Sequence, residues 1–180
     1  MEKEDYGSYG IKEPKSMKPI VELELVPEQR RAVIENLLQF YLYDFTLYLD
    51  IAADENGRFP DYPDLDEFWS KADRKFPFLI RADGEPAGMA LVERTDDNGK
   101  KPSYYMVEFF VLQKFRRHGV GGSAAVMLFD RFRGRWKITQ LKNNEPAQRF
   151  WRNTIEIYTN GAYKERTHPF QGHPSQYFEN

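Results

Sequence analysis

The sequence predicts an α/β protein of the mixed α+β kind, with a central, largely antiparallel sheet and helices on both faces. Three observations carry that expectation. A chain of 180 residues with 41% hydrophobic composition suits one core rather than two independently folded units. Three stretches of strand character, 76–82, 87–94 and 104–112, follow one another with only short turns between them, which makes an antiparallel meander and argues against alternating βαβ order. Amphipathic stretches of helical period flank that meander, and each needs a sheet face to cover its apolar stripe.

Residues 1–17 carry Gly7, Gly10, Pro14 and many charges without a hydrophobic period, so they read as a flexible leader to a single domain over 18–180. Residues 20–26 alternate apolar and acidic side chains, the signature of a strand with one wet face. Pro27 then opens a helix to about residue 47, where Val33, Ile34, Leu37, Leu38, Tyr41, Leu42 and Phe45 make one stripe. Its aromatics, with Phe40, Tyr43 and Tyr48, read as helix packing, and only those facing the fourth strand reach a ligand. Residues 50–66 mix Gly57, Pro60 and Pro63 with many carboxylates, a surface loop before a short helix over 65–72. Asp83-Gly84 supplies the φ > 0 pair of a tight hairpin, and Asp97-Asn98-Gly99 supplies a second turn. After a basic, glycine-rich segment come a helix over 120–133 stopped at Gly134, a strand over 136–141, a helix from Asn144 and Pro146 to Asn160-Gly161, and late strands at 162–165 and 176–178.

Charge and composition narrow the function. A net charge of −2 gives no global field for nucleic acid, so no nucleic-acid partner is expected, and the cluster Arg131, Arg133, Arg135 and Lys137 is the weakest of the functional readings. Zero cysteines remove disulfides, thiolate nucleophiles and thiolate metal sites, in keeping with a cytoplasmic location. His118, His168 and His173 have no metal-ligand spacing, so no metal is expected. The start lacks the basic and apolar regions of a secretory signal, and no apolar run approaches the roughly 20 residues of a membrane span, so no membrane is expected.

The informative segment is a strand ending Phe109-Phe110-Val111, then Arg116-Arg117-His118, then Gly119-Val120-Gly121-Gly122 opening a helix. Glycines let the backbone approach a ligand, and the first-turn amides of a helix point outward at a partial positive charge. A pyrophosphate fits there, with Arg116 and Arg117 adding charge-assisted bonds. Gly122-Ser123 lacks the preceding lysine of a P-loop. Gly119-Val120-Gly121 followed by Ala124 has a dinucleotide-binding spacing, but a basic hexapeptide separates it from the strand and no carboxylate stands near residue 140.

The segment from Arg116 to Gly121 resembles the Arg/Gln-x-x-Gly-x-Gly/Ala pattern of the GNAT N-acyltransferases. Val111 stands where that family ends its fourth strand, Phe115 is the aromatic before the arginine, and Asn144-Glu145-Pro146-Ala147 with Phe150-Trp151 looks like the family's helix start after the fifth strand. The resemblance covers roughly residues 18–180. It implies splayed fourth and fifth strands with acetyl-CoA as cosubstrate in the wedge. Backbone groups of Phe109, Phe110 and Val111 would hold the pantetheine and thioester. The amides from Arg117 to Gly122 would hold the pyrophosphate, with His118 as a phosphate neighbour, and Asn144 would contact the pantetheine arm.

An attacking amine must be neutral, since an ammonium near pKa 10.4 has no lone pair. Glu108, three residues before Val111 and expected on the opposite face from Val107 and Phe109, reads equally as the general base, directly or through water, and as the partner of a neighbouring strand's arginine. The family's usual general acid is a tyrosine where this chain has Trp151, whose indole is no practical proton source. Tyr158, two turns on, is a weak substitute. The resemblance therefore implies an N-acetyltransferase acting on a primary amine of a small molecule or protein, with a homodimer in keeping with the family. The alternative is a non-catalytic acyl-CoA-binding sensor or scaffold. The acidic loop, with Asp50, Asp54, Glu55, Asp61, Asp64, Asp66 and Glu67, reads as solvated or as a recognition surface for a cationic amine.

Overall fold

The structure is a computed structural model that describes residues 18–95 and 101–180. The leader over 1–17 and the turn at 97–99 lie outside the described residues. One seven-stranded sheet runs through the molecule in the order β1-β2-β3-β4-β5-β7-β6. Its strands are β1 Val21–Leu25, β2 Lys75–Ala82, β3 Glu85–Arg94, β4 Ser103–Val111, β5 Arg135–Thr139, β6 Tyr163–Thr167 and β7 Pro174–Glu179. Every neighbouring pair is antiparallel except β4 and β5, which run parallel.

Period-two alternation sends side chains to opposite faces, and the helices divide accordingly. On one face α3 (Val120–Arg131) and α4 (Glu145–Thr159) cover Phe78, Ala90, Met106, Trp136 and Ile138, joined by Leu128, Phe129, Trp151 and Ile155. On the other, α1 (Ala32–Phe45) and α2 (Glu67–Ser70) cover Leu79, Met89, Leu91 and Phe110 through Ile34, Leu37, Leu38 and Phe68. The stripe read from the sequence is the buried face of α1. Its residues Phe40 and Tyr43, off that stripe, are exposed.

The hairpin between β2 and β3 turns at Asp83 (φ 50°) and Gly84 (φ 79°), the two left-handed residues that the Asp-Gly pair predicts. Pro27 does not open the α-helix directly. Arg30 and Arg31 donate to the carbonyls of Pro27 and Glu28, three-residue bonds that make a 3-10 turn before α1 begins at Ala32. No helix among the described residues is long and apolar enough to cross a membrane.

Two irregularities shape the centre. β4 pairs with β5 only from Ser103 to Met106, against Arg135 to Ile138. Beyond that point β4 runs on to Val111 while β5 ends at Thr139, so the strands fork, and the fifth strand stops short of the expected 141. On its other side, β4 has a bulge: Leu91 of β3 faces Glu108 and Val92 faces Met106, leaving Val107 as the extra residue. The bulge overturns the alternation expected for this strand. Val107 and Glu108 both turn to the α1 side, Val107 packing there and Glu108 bonding Tyr41, because an inserted residue shifts the side-chain period by one.

Candidate active site

A cavity of about 570 Å³ opens at the fork, a volume within the range of small-molecule sites. Met106, Val107, Glu108 and Phe109 of β4 line it, with Ile138 and Thr139 of β5, Gln140 and Leu141 beyond them, Asn144, Ala147 and Trp151 of the α4 start, and Tyr41, Phe45, Ile51, Asp61, Tyr62 and His173 on the far side.

Glu108 is partly buried at the bulge. Tyr41 donates its hydroxyl to Oε2, and Tyr62, from the loop before α2, donates to Oε1 at 2.6 Å. The partners of Glu108 are therefore tyrosines rather than the arginine of a neighbouring strand. Burial pushes its carboxyl above the ordinary 4.5, while the two hydroxyls pull it back down. Burial and the adjacent carboxylate raise both tyrosines, Tyr41 well above the ordinary value. Tyr41 is one of the α1 aromatics expected to reach a ligand only where it faces the fourth strand, as it does, whereas Tyr62 was not legible as a site residue. Tyr41 sits on an apolar helical stripe whose polar tip has no pattern of its own, and Tyr62 reaches the site through a loop whose path sequence does not specify.

The glycine-rich turn follows β4. Arg117 has φ 64° and Gly119 φ 81°, so the chain reverses through two left-handed residues before α3. Ser123 N–H closes the first helical bond onto the Gly119 carbonyl at 3.0 Å, which leaves the amides of Val120, Gly121 and Gly122 ahead of the helical ladder. A Cβ on Gly121 would approach the Phe150 ring at 3.3 Å and Val111 at 3.5 Å, whereas one on Gly122 would meet nothing. Arg117 and His118 are exposed. Arg116 departs from the sequence reading. Its Nε donates to the Val111 carbonyl at 2.7 Å, its Nη2 pairs with Asp44, and its guanidinium lies 5.4 Å from the Phe110 ring centroid. That side chain ties the end of β4 to α1.

Asn144 caps α4, its Oδ1 accepting from Ala147 N–H at 3.1 Å. Trp151 is 5% exposed and packs edge-on against Phe109 at 5.0 Å. Tyr158 lies outside the cavity lining, donating to Asp130 at 3.0 Å and accepting from Asn180 at 2.8 Å, so it is no stand-in for a tyrosine at the Trp151 position. Gln140 was also missed. Its Nε2 donates to Gln176 Oε1 at 2.8 Å, while its Oε1 is the buried side-chain atom without a partner among the described residues.

The acidic loop divides. Asp54 accepts from the amides of Asn56 and Arg58, Asp66 pairs with Arg31, and Glu67 pairs with Lys71 and Lys75. Only Asp61 of that loop's carboxylates lines the cavity.

A parallel pair that forks, a bulged strand before it and a glycine turn opening a helix define an acyltransferase scaffold. The family model for the GNAT acetyltransferases matches residues 36–154, and the chain belongs to that family. Solved structures share the fold. An acetyltransferase from Thermus thermophilus is 13% identical over 91% of this chain and 100% of its own, with a TM-score of 0.63. Arabidopsis thaliana Naa50, in complex with a bisubstrate analogue joining CoA to a peptide, is 11% identical over 89% and 99%, with a TM-score of 0.56. An aminoglycoside acetyltransferase from an uncultured soil metagenomic sample, in complex with trehalose, is 17% identical over 83% and 94%, with a TM-score of 0.59. No curated protein sequence matches.

Proposed function

We propose that the protein is an acetyl-CoA-dependent N-acetyltransferase in which a primary amine attacks the thioester directly, with Glu108 as general base. The observation that carries this reading is a half-buried carboxylate, raised in pKa and held by two tyrosines, at the mouth of the β4–β5 fork.

The residues present suit the cosubstrate. Beyond Met106, β4 has no β5 partner, so the backbone groups of Phe109 and the N–H of Val111 are open to a strand-like pantetheine arm, while Phe110 faces β3 and the Val111 carbonyl accepts from Arg116. Gln140 lines the cavity, and its buried Oε1 has no partner among the described residues, so a pantetheine amide N–H that reached it would satisfy a costly orphan acceptor. Asn144 uses Oδ1 for its cap and keeps its NH2 group for the same arm. The amides from Arg117 to Gly122 suit the pyrophosphate, with Arg117 and His118 beside it. Arg116 positions the strand end through Asp44 and Val111.

An ammonium acceptor first gives a proton to Glu108, directly or through water, and its freed lone pair attacks the carbonyl carbon. The C–N bond forms as the carbonyl π pair moves to oxygen. An amide near Val111 stabilises that oxyanion. Collapse breaks the C–S bond, the thiolate leaves with its electron pair, and the nitrogen's second proton passes to solvent. Purified protein with acetyl-CoA and an amine panel tests the reading by free-thiol release. Trp151 at the family's tyrosine position favours the second reading, a non-catalytic acyl-CoA sensor, and CoA binding without turnover on any amine is the result that would establish it.

A further inference from the structure

Resting on the acyl-transfer reading, we infer that the acceptor is a small apolar monoamine, an alkyl or arylalkyl amine that carries no anionic group. The half of the cavity away from the fork has walls of Phe45, Leu49, Ile51 and Pro60, apolar surface that favours a hydrocarbon body. Tyr41, Tyr62 and Tyr105 line the cavity around Glu108, the first two holding the carboxylate by their hydroxyls, so one ammonium is drawn to a fixed carboxylate in largely aromatic surroundings.

Glu108 and Asp61 are the carboxylates of the lining, and among the described residues it holds no lysine or arginine. Its one basic side chain is His173, whose Nδ1 accepts from the Lys142 N–H at 3.2 Å. Arg116, on the neighbouring turn, is already paired with Asp44 and the Val111 carbonyl. A substrate carboxylate or phosphate would thus meet two carboxylates without a lysine or arginine to offset them. A polyamine gains little from the loop's other carboxylates, because Asp66 and Glu67 are already paired with Arg31, Lys71 and Lys75 and Asp54 lies outside the cavity lining.

A fixed rim favours a small molecule over a protein tail. Gln39 clamps the loop over the cavity with two bonds to the Phe59 backbone, at 3.2 and 2.8 Å. Tyr62 ties the same loop to Glu108 at 2.6 Å, and Asn143 donates to the Tyr48 carbonyl at 2.9 Å. The rim is fastened at three points, which limits how far it can part to admit an extended chain.

Matched substrates isolate the claim. With acetyl-CoA saturating, 2-phenylethylamine, phenylalanine, spermidine and a lysine-containing peptide are compared by thiol release, while calorimetry follows CoA alone and 2-phenylethylamine added to the CoA complex. The expected result is a kcat/KM for 2-phenylethylamine at least about 100-fold above that for phenylalanine, which differs by one carboxylate. Asp61→Lys, on an exposed side chain, is expected to narrow that ratio about tenfold while the CoA affinity stays the same. Faster acetylation of phenylalanine, spermidine or the peptide overturns the inference and leaves acyl transfer standing, as does a CoA complex that neither binds nor acetylates 2-phenylethylamine. Absence of heat from CoA removes the acyl-transfer reading itself, and the acceptor class with it.

Discussion

Tyr62 and Glu108 lie 46 residues apart in sequence and meet in a 2.6 Å hydrogen bond across the cavity. That contact joins a loop of no regular structure to the bulge of β4, and it places the one carboxylate of the strand where a ligand can reach it. The bulge is its cause. With Val107 inserted between the Met106 and Glu108 registers, Glu108 turns to the side where α1 supplies Tyr41.

This geometry gives the pH dependence of stability a definite sign. Burial raises the folded-state pKa of Glu108 above 4.5, so the folded chain holds that proton more tightly than the unfolded one. The contribution is fully present below the unfolded value and is lost as pH rises through the folded one. Glu108→Gln, which cannot ionise, is expected to gain in Tm over the parent at pH 8 relative to pH 4.5. A calorimetric difference identical at both pH values would contradict a buried, ionising Glu108.

The same group sets the acid limb of activity. As general base Glu108 acts ionised, so kcat/KM is expected to rise with pH through a value above the ordinary carboxylate range. The hydroxyl of Tyr62 lowers that value, and Tyr62→Phe is expected to move the limb to higher pH. Glu108→Gln is expected to lower kcat about 10²–10⁴-fold with CoA affinity unchanged in calorimetry. Full activity in Glu108→Gln assigns the proton to another acceptor.

Much of this was legible from the chain, and the illegible part has a physical reason. The Asp83-Gly84 turn, the α1 stripe and the Arg116 to Gly122 segment are local, because φ > 0 positions, helical periodicity and helix starts are written within a few residues. The bulge at Val107 is a property of the β3–β4 register, so Val107 was misread as opposing Glu108, whose own place opposite Phe109 is as expected. Arg116 carries a phosphate-binding sequence pattern, yet Asp44, 72 residues away in sequence, claims its charge. Gln140 follows β5 as an ordinary polar residue, and only the arrangement of β7 shows what it does.

The glycine turn separates conformational strain from ligand space. Gly119 has φ 81° with open surroundings, and Gly122 has ordinary φ with open surroundings. Gly119→Ala is expected to cost about 1–2 kcal/mol in chemical denaturation, because a Cβ is disfavoured in left-handed backbone. A Cβ at Gly122 meets nothing, and valine has a slightly better helix propensity than glycine, so Gly122→Val is expected to hold stability or raise it by a few tenths of a kcal/mol. CoA affinity is nevertheless expected to drop at least tenfold, about 1.4 kcal/mol, as the side chain enters the pyrophosphate site. Unchanged CoA binding in Gly122→Val would move the pyrophosphate elsewhere.

Tyr158 provides the counterpart. Its hydroxyl bonds Asp130 and Asn180 rather than the cavity, so Tyr158→Phe is expected to leave kcat unchanged while costing about 1 kcal/mol of stability. A large fall in kcat at unchanged CoA affinity would return this residue to the chemistry.

A relay running from the surface into the interior sets the orientation of Gln140. Arg152 grips Glu165 with two bonds of 2.8 Å and holds its carboxyl below the ordinary range. A carboxylate only accepts, so Gln176 must turn its NH2 group toward Glu165, at 2.7 Å. Gln176 then shows its oxygen to Gln140, which answers with its own NH2 and is left with a spare Oε1 beside the cavity. Glu165→Gln replaces the obligate acceptor with a group that also donates, so both amides are free to reverse and the acceptor at Gln140 is no longer enforced. The expected outcome is a CoA affinity weaker by about three- to tenfold, the net value of one hydrogen bond, with the far-UV dichroism unchanged. Gln140→Leu is expected to lose the same affinity and, in addition, about 1–3 kcal/mol of stability from the stranded oxygen of Gln176. Identical CoA affinities in the parent and both variants would show that the Gln140 oxygen does not face the cosubstrate.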